Sequence, residues 1–270
     1  MKPVARPVLK WAGGKSQMLA DLVKFLPDRP HRYVEPMIGG GALFFALGSK
    51  NSLIADSNPE LINLYSVLKE TPYAIDEAYR KWSFSEEQFY SLRALKFDEL
   101  DPIIAAARTI YLNRHCFNGL YRVNRNGDFN VPWGRYKKPY TIDLENLERA
   151  QFVLRSATIK LGDFREVLRN YAAEGDFIFL DPPYIPISQN ADFKRYTREQ
   201  FYESDHVEMA ILVKELSERK CDIVITNSNH PFVLDLYRDY DINVIPTKRN
   251  VNSRGDARTG EDAIIYVPSA

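Results

Sequence analysis

Residues 32–56 read Arg32-Tyr33-Val34-Glu35-Pro36-Met37-Ile38-Gly39-Gly40-Gly41-Ala42-Leu43-Phe44-Phe45-Ala46-Leu47-Gly48-Ser49-Lys50-Asn51-Ser52-Leu53-Ile54-Ala55-Asp56. A short aromatic and β-branched run at 32–35 stops at a proline and a glycine triplet. An apolar helix start follows from Ala42 to Leu47, and a second apolar run, 52–56, closes the unit. Strand, turn, helix and strand in that order open a parallel α/β sheet. Further out, strand character returns at 157–161, 176–180, 222–226, 241–245 and 263–267, with helical spacing around 201–219 and 231–238. The last two strands have no helix between them, so one is expected to end the sheet antiparallel. Helical patterns dominate 59–114, with breaks at Pro72 and Pro102. Residues 16–26 read as a short helix with Ser16 as its N-cap and Leu19, Leu22, Val23 and Leu26 on one face. The α/β body, 1–56 and 145–270, is thus expected to be split by a mostly helical insert, 57–144, whose far end is the basic loop 116–138.

The chain has 270 residues and is 45% hydrophobic, too rich in apolar side chains for intrinsic disorder. Its longest apolar runs, such as Ala263 to Val267, are too short to cross a bilayer, and Met1 to Pro7 lack a signal core. Cys116 and Cys221 have no His or Cys at metal spacing, so neither a disulfide scaffold nor a bound metal is expected. A reduced, cytoplasmic protein is expected, either monomeric or weakly dimeric. The formal net charge of zero hides a segregated distribution. Windows 1–15, 108–138 and 248–258 hold 15 of the 36 Lys/Arg but only 2 of the 36 Asp/Glu. One such island is usually a solvated surface loop. Three of them, interleaved with Phe117, Tyr121, Phe129, Trp133, Tyr136 and Tyr140, point to nucleic acid.

The strongest chemical signal is Asp181-Pro182-Pro183-Tyr184, directly after the apolar run 177–180. Ligands of open α/β sheets bind at the carboxyl ends of strands. Each proline restricts the residue before it, so a stiff bend presents a carboxylate, a backbone carbonyl and an aromatic ring at one edge. That set suits a planar aromatic amine. The carboxylate and carbonyl accept the two amino hydrogens, Tyr184 stacks on the ring, and the acceptors stabilise positive charge developing on an attacking nitrogen. A bare Asp-Pro pair would be read as a turn with a solvated acid. Behind a buried strand, the full tetrapeptide reads as a site.

Other motifs are weaker. The turn Gly39-Gly40-Gly41 lets backbone approach a ligand closely, and Asp56, ending the next strand, suits ribose hydroxyls; a plain glycine turn is the competing reading. Asp163, in Gly162-Asp163-Phe164, suits either an adenine amino group or a helix N-cap. Leu9-Lys10-Trp11-Ala12-Gly13-Gly14-Lys15-Ser16 ends like a phosphate-binding loop, but Leu9 stands where that loop needs glycine. A kinase or ATPase reading therefore fails. His31, His115, His206 and His230 are scattered and read as surface or core residues.

Taken in order, these residues resemble the Dam family of DNA adenine-N6 methyltransferases, and among them the DpnM-type modification enzymes that act on GATC. The resemblance runs through Leu9 to Lys15, Tyr33 to Phe45, Ala55-Asp56, Tyr111 to Tyr140, Gly162-Asp163-Phe164, Phe179 to Pro186, Thr226-Asn227-Ser228 and Asn252-Ser253-Arg254-Gly255. It implies a Rossmann-like class I methyltransferase fold and S-adenosyl-L-methionine as methyl donor. By that likeness, Trp11, Lys15, Asp56 and Asp181 match cofactor-contacting positions, Glu35 and Gly39 lie in the cofactor loop, and Asp163 and Phe164 border it. The insert becomes a target-recognition domain for double-stranded DNA. Lys10, Asn118, Leu120, Arg122 and Pro132 match positions that touch the target site or its backbone. Phe117 matches an aromatic that enters where the adenine leaves the stack. Dam itself has tyrosine there, so this chain lacks the hydroxyl. Residue chemistry agrees: an adenine amine in a duplex is out of reach unless flipped, Arg122 suits guanine, and Lys137 and Lys138 suit phosphates.

Three other readings stay open at this stage. One is an EcoRV-type enzyme reading a longer site, and another is an amino methyltransferase of RNA or a protein glutamine. The third is a DNA-binding regulator with a degenerate methyltransferase body. Asp at position 181 and the loop 116–138 favour adenine in duplex DNA. The likeness to modification enzymes also fits a restriction endonuclease encoded alongside.

Overall fold

The structure is a computed structural model that describes residues 2–27, 30–124, 126–185, 201–248 and 259–270. Pro186, the stretch Asn252-Ser253-Arg254-Gly255 and nearly all of the third basic island lie outside the described residues.

Seven strands build one sheet: β1 (Arg32–Glu35), β2 (Ser52–Asp56), β3 (Ala157–Leu161), β4 (Asp176–Leu180), β5 (Asp222–Ser228), β6 (Asp241–Lys248) and β7 (Thr259–Val267). Their order is β3-β2-β1-β4-β5-β7-β6. The first five run parallel, and β7 is antiparallel to both of its neighbours. This is the α/β sheet with an antiparallel finish expected from the strand spacing.

Side-chain alternation along these strands decides what meets at the sheet's carboxyl edge. Tyr33, Ile54, Phe177, Phe179, Val224 and Ile264 belong to one core cluster, whereas Val34, Leu53, Ala55, Ile178, Leu180, Ile223 and Ile225 belong to the other. Two residues further along the first face stand Glu35, Asp56, Asp181 and Thr226. The first face is covered by α1 (Leu19–Leu22), α2 (Ala42–Leu47), α3 (Pro59–Glu70), α4 (Pro72–Tyr79), α5 (Glu86–Ala94), α6 (Pro102–His115) and α7 (Leu144–Arg155). The second is covered by α8 (Phe164–Tyr171), α9 (Glu203–Glu218) and α10 (Pro231–Leu236).

Local chemistry explains the helix starts. Pro59, Pro72 and Pro102 each occupy a first turn, where a missing N–H costs nothing, and the side chains of Asn58 and Asp101 cap α3 and α6. The expected helix 16–26 does not form as one piece. A 3-10 turn (Lys15–Gln17), the single turn α1 and a second 3-10 turn (Val23–Phe25) replace it. Ser16 lies exposed inside the first turn, and Gly14 and Met18 at the two N-cap positions make no side-chain cap. Leu26, extended ahead of Pro27, ends the run. Among the described residues, no helix is long and apolar enough to cross a membrane.

One buried ion pair ties three helices of the first face together. Arg108 on α6 is 1% exposed, with Nη1 3.3 Å from Glu60 Oε2 on α3. Its Nε and Nη2 donate to the carbonyls of Leu92 and Leu95 at the end of α5, at 2.8 and 3.1 Å. Burial lifts the Glu60 carboxyl, and Arg108 opposes the lift. Removing one partner leaves a buried charge alone, which costs roughly 3–5 kcal/mol. Arg108→Leu is therefore expected to lower the melting temperature by on the order of 10 °C in a thermal scan. A change within 2–3 °C, about what 1 kcal/mol gives, would show that this pair does not brace the helices.

Candidate active site

The carboxyl ends of β1, β2 and β4 bring three carboxylates to one edge, each held by donors. Glu35 is 2% exposed and accepts from Tyr33 Oη at 2.7 Å. Burial pushes its carboxyl well above the ordinary range, and the Asp181 and Asp56 charges push the same way. Asp56, also 2% exposed, accepts from the backbone N–H of Gly39 at 3.0 Å and of Asn58 at 2.9 Å. Asp181 accepts from Thr226 Oγ1 at 2.8 Å and from Lys15 Nζ at 2.6 and 2.7 Å on its two oxygens.

Lys15 is the buried cation of this edge, only 4% exposed. Its Nζ also donates to Gly13 O at 2.5 Å and lies 4.7 Å from the ring centre of Tyr184. Tyr184 Oη donates to Asp262 Oδ2 on β7 at 3.3 Å, and burial with the Asp181 and Asp262 charges drives the phenol strongly upward. The antiparallel last strand thus completes the site.

The glycine turn is shaped by Trp11. A Cβ on Gly39 or Gly40 would come within 2.7 Å of Trp11 side-chain atoms, and Gly39 has φ +46. Only glycine lets the indole lie on this turn. Tyr65 Oη donates to Gly39 O at 2.6 Å from below.

Asp163 caps α8, accepting from Arg165 N at 2.9 Å, and pairs with the Arg165 guanidinium at 3.0 Å. That guanidinium also contacts Asp205 and Glu208. The cap is one of the two roles the sequence allows this residue. The Phe164 side chain is buried in the core of the second face, its ring centre 5.8 Å from that of Phe201.

Across the edge lies the basic loop. It folds back on itself through bridges Cys116–Trp133 and Val123–Phe129, with Phe117 N donating to Pro132 O at 2.9 Å. Phe117, at the base of this fold-back, is 51% exposed, next to exposed Asn118 with φ 55. Arg122 is held by Asn130, Nε to Oδ1 at 2.7 Å. Pro132, Lys137 and Lys138 are exposed and Leu120 is half-buried. Lys10 joins this rim: its backbone N–H and carbonyl both pair with the Asn113 side chain at 2.8 Å, and its Nζ lies 4.9 Å from the Tyr136 ring centre. Asn113 also donates to Gly119 O at 3.3 Å, so one buried amide joins the two rim segments.

Sequence reading assigned no role to Thr226, Asp262, Asn113 or Tyr121. Thr226 carried a signal in the Thr226-Asn227-Ser228 motif and Tyr121 one as an aromatic of the basic island, Asn113 lay only within the stretch Tyr111 to Tyr140, and Asp262 had none; all act through contacts distant in sequence. The histidines lie on the surface or in the core, with His31 exposed. His115 and His206 are buried and pushed down to about 4 by burial, and His230 caps α10. Cys116 and Cys221 are free and buried, and the described residues contain no cluster able to hold a metal.

Residues 11–251 match the family of D12 class N6 adenine-specific DNA methyltransferases. The chain belongs to that family. Among its relatives is the type II methyltransferase M1.LlaDCHI of Lactococcus lactis subsp. cremoris, 38% identical over 94% of this chain and 92% of the relative. The type II methyltransferase M.MjaIII of Methanocaldococcus jannaschii is 34% identical over 94% and 95%. The DNA adenine methylase of Vibrio cholerae O395 is 34% identical over 96% and 95%. The D12 enzyme is thus an adenine-N6 DNA methyltransferase with DNA as its partner, built on the class I methyltransferase sheet.

In this D12 enzyme the carboxylate edge has a pH signature. Glu35 holds its proton more strongly when folded than the 4.5 of a free side chain. The stability it confers is therefore full below about 4.5 and is lost as pH rises through the folded value. Glu35→Gln keeps the neutral form at every pH. Its melting temperature relative to the parent is expected to be unchanged near pH 4 and to rise progressively above it. A variant that becomes less stable than the parent at pH 8 would show that ionised Glu35 is favourable in the fold.

Proposed function

We propose that this enzyme transfers a methyl group from S-adenosyl-L-methionine to N6 of the adenine of GATC in duplex DNA, turning that adenine out of the stack. The observation that carries the reading is the Asp181 carboxylate beside the Pro182 backbone and the Tyr184 ring, on the same edge as Glu35 and Asp56.

The residues present fit that donor. The carboxylates of Asp56 and Asp181 against one buried ammonium, with Glu35 beside them, suit a ligand carrying positive charge, and the glycine turn flanked by the Trp11 ring suits a nucleoside. Trp11, Lys15, Glu35, Gly39, Asp56, Asp181 and the Asp163-Phe164 pair would hold it, Phe164 through its backbone because its ring is core. When bound, the cofactor supplies a methyl group on an already activated sulfonium.

The protein's own part is orientation and charge. A carboxylate offers about four acceptor places, and Lys15 and Thr226 take three of those on Asp181. Oδ2 keeps one for an amine N–H, and the Pro182 carbonyl takes the other hydrogen. Both acceptors stabilise charge developing on the attacking nitrogen. Tyr184, anchored to Asp262, is held as a wall for the base.

We assign recognition to the insert 57–144, with Lys10, Asn118, Leu120, Arg122 and Pro132 facing the target, Lys137 and Lys138 on phosphates, and Phe117 in the gap left by the base. The 51% exposure of Phe117 beside Asn118 on the basic loop supports the wedge, because half of its surface is open to a duplex. Unstacking costs roughly a few kcal/mol, which the wedge offsets. Such an enzyme works in the cytoplasm beside DNA, and the two relatives named type II methyltransferases support pairing with a restriction endonuclease.

The test is transfer of label from methyl-labelled S-adenosyl-L-methionine to a GATC duplex, a scrambled duplex and an RNA of the same sequence. Label is expected on the GATC adenine alone, and Asp181→Ala is expected to lower the rate by at least about 10²–10³-fold. Label on longer sites only would support the EcoRV-type reading, and label on RNA alone would sink the assignment to duplex DNA.

A further inference from the structure

Tyr121 links the two halves of the site. It belongs to the basic loop, next to Arg122, yet its side chain reaches the cofactor side by two routes. Its ring stacks on Trp11, centres 5.2 Å apart at 28°, and Trp11 lies on the Gly39-Gly40 turn. Its hydroxyl donates to Asn58 Oδ1 at 3.4 Å, and the Asn58 N–H donates to Asp56 Oδ1 at 2.9 Å. Both routes end on one joint, because Gly39 N donates to the other oxygen of Asp56 at 3.0 Å. On the loop side, Phe129 meets the Tyr121 ring edge-on at 5.6 Å, and Arg122 is tied to Asn130 on the same returning segment. The ring that precedes Arg122 thus rests on the residues that form the Gly39–Asp56 joint.

We propose that Tyr121 is a positioning residue that couples occupancy of the cofactor pocket to the DNA-reading posture of the loop. The proposal rests on the functional reading above. Coupling between two binding sites is reciprocal: cofactor must strengthen DNA binding by the same factor as DNA strengthens cofactor binding. The wild type is expected to show a factor of about 5 or more, the low end of ordinary coupling.

The experiment measures that factor from both directions. Anisotropy of a labelled GATC duplex is followed with and without saturating S-adenosylhomocysteine, and S-adenosylhomocysteine is titrated calorimetrically with and without the duplex. Tyr121→Leu removes ring and hydroxyl and is expected to bring the factor below twofold, each separate affinity changing less than threefold. Tyr121→Phe keeps the stack and loses the bond to Asn58, so an intermediate factor is expected from a variant that retains the packing. A factor that survives Tyr121→Leu, even with both affinities or the melting temperature lowered, would reduce the residue to a packing role and overturn the proposal. So would a wild-type factor of one. A wild type that binds neither partner would remove the functional reading itself, and the proposal with it.

Discussion

The site depends on an electrostatic constraint: three acids on three neighbouring strands must share one edge without driving it apart. Burying an ionised carboxylate is costly unless it is hydrogen-bonded or paired. Here each acid meets the demand differently. Asp56 takes two backbone N–H groups, Asp181 takes an ammonium and a hydroxyl, and Glu35, with a phenol and the backbone amide of Phe44 as donors, shifts its proton affinity upward instead. Hydrogen bonds to charged groups contribute roughly 1.5–3 kcal/mol each, enough to hold the cluster but not to make it neutral. An edge left negative in this way suits a group that carries positive charge.

The rest of the fold serves that edge. Alternation along β1, β2, β4 and β5 puts the acids and Thr226 on one face, and β7 brings Asp262 beneath Tyr184. The segment 10–15 threads the same space: Lys10 is clasped by Asn113 at the rim, Trp11 lies on the glycine turn, and Lys15 reaches Asp181. The loop rim, the glycine turn and the carboxylate edge are therefore joined within six residues, with Gly13 at φ +80 supplying the bend between them.

Much of this was legible in the sequence, for identifiable reasons. Strands are marked by apolar runs, and all seven strands form where such runs stand. Asp181-Pro182-Pro183-Tyr184 was legible because its conformation is set locally by proline. The broken helix at 15–25 was not, since apolar spacing says nothing about a lysine drawn inward to a carboxylate 166 residues away. Asn113, Asp262 and the inward contacts of Tyr121 were hidden for the same reason: each depends on partners far along the chain. Asp163 shows the converse, a residue whose two readings the sequence left equal and whose side chain is occupied by a cap and by Arg165.

The central claim is that this carboxylate edge receives both the methyl donor and an everted adenine. Its most direct test is a crystal structure with S-adenosylhomocysteine and a short GATC duplex. The account predicts the cofactor nucleoside against Gly39 and Asp56, the target adenine out of the helix with N6 within hydrogen-bond distance of Asp181 and the Pro182 carbonyl, and Phe117 in the space it leaves. An adenine still stacked in the duplex, or a cofactor bound away from the ends of β1, β2 and β4, would contradict it.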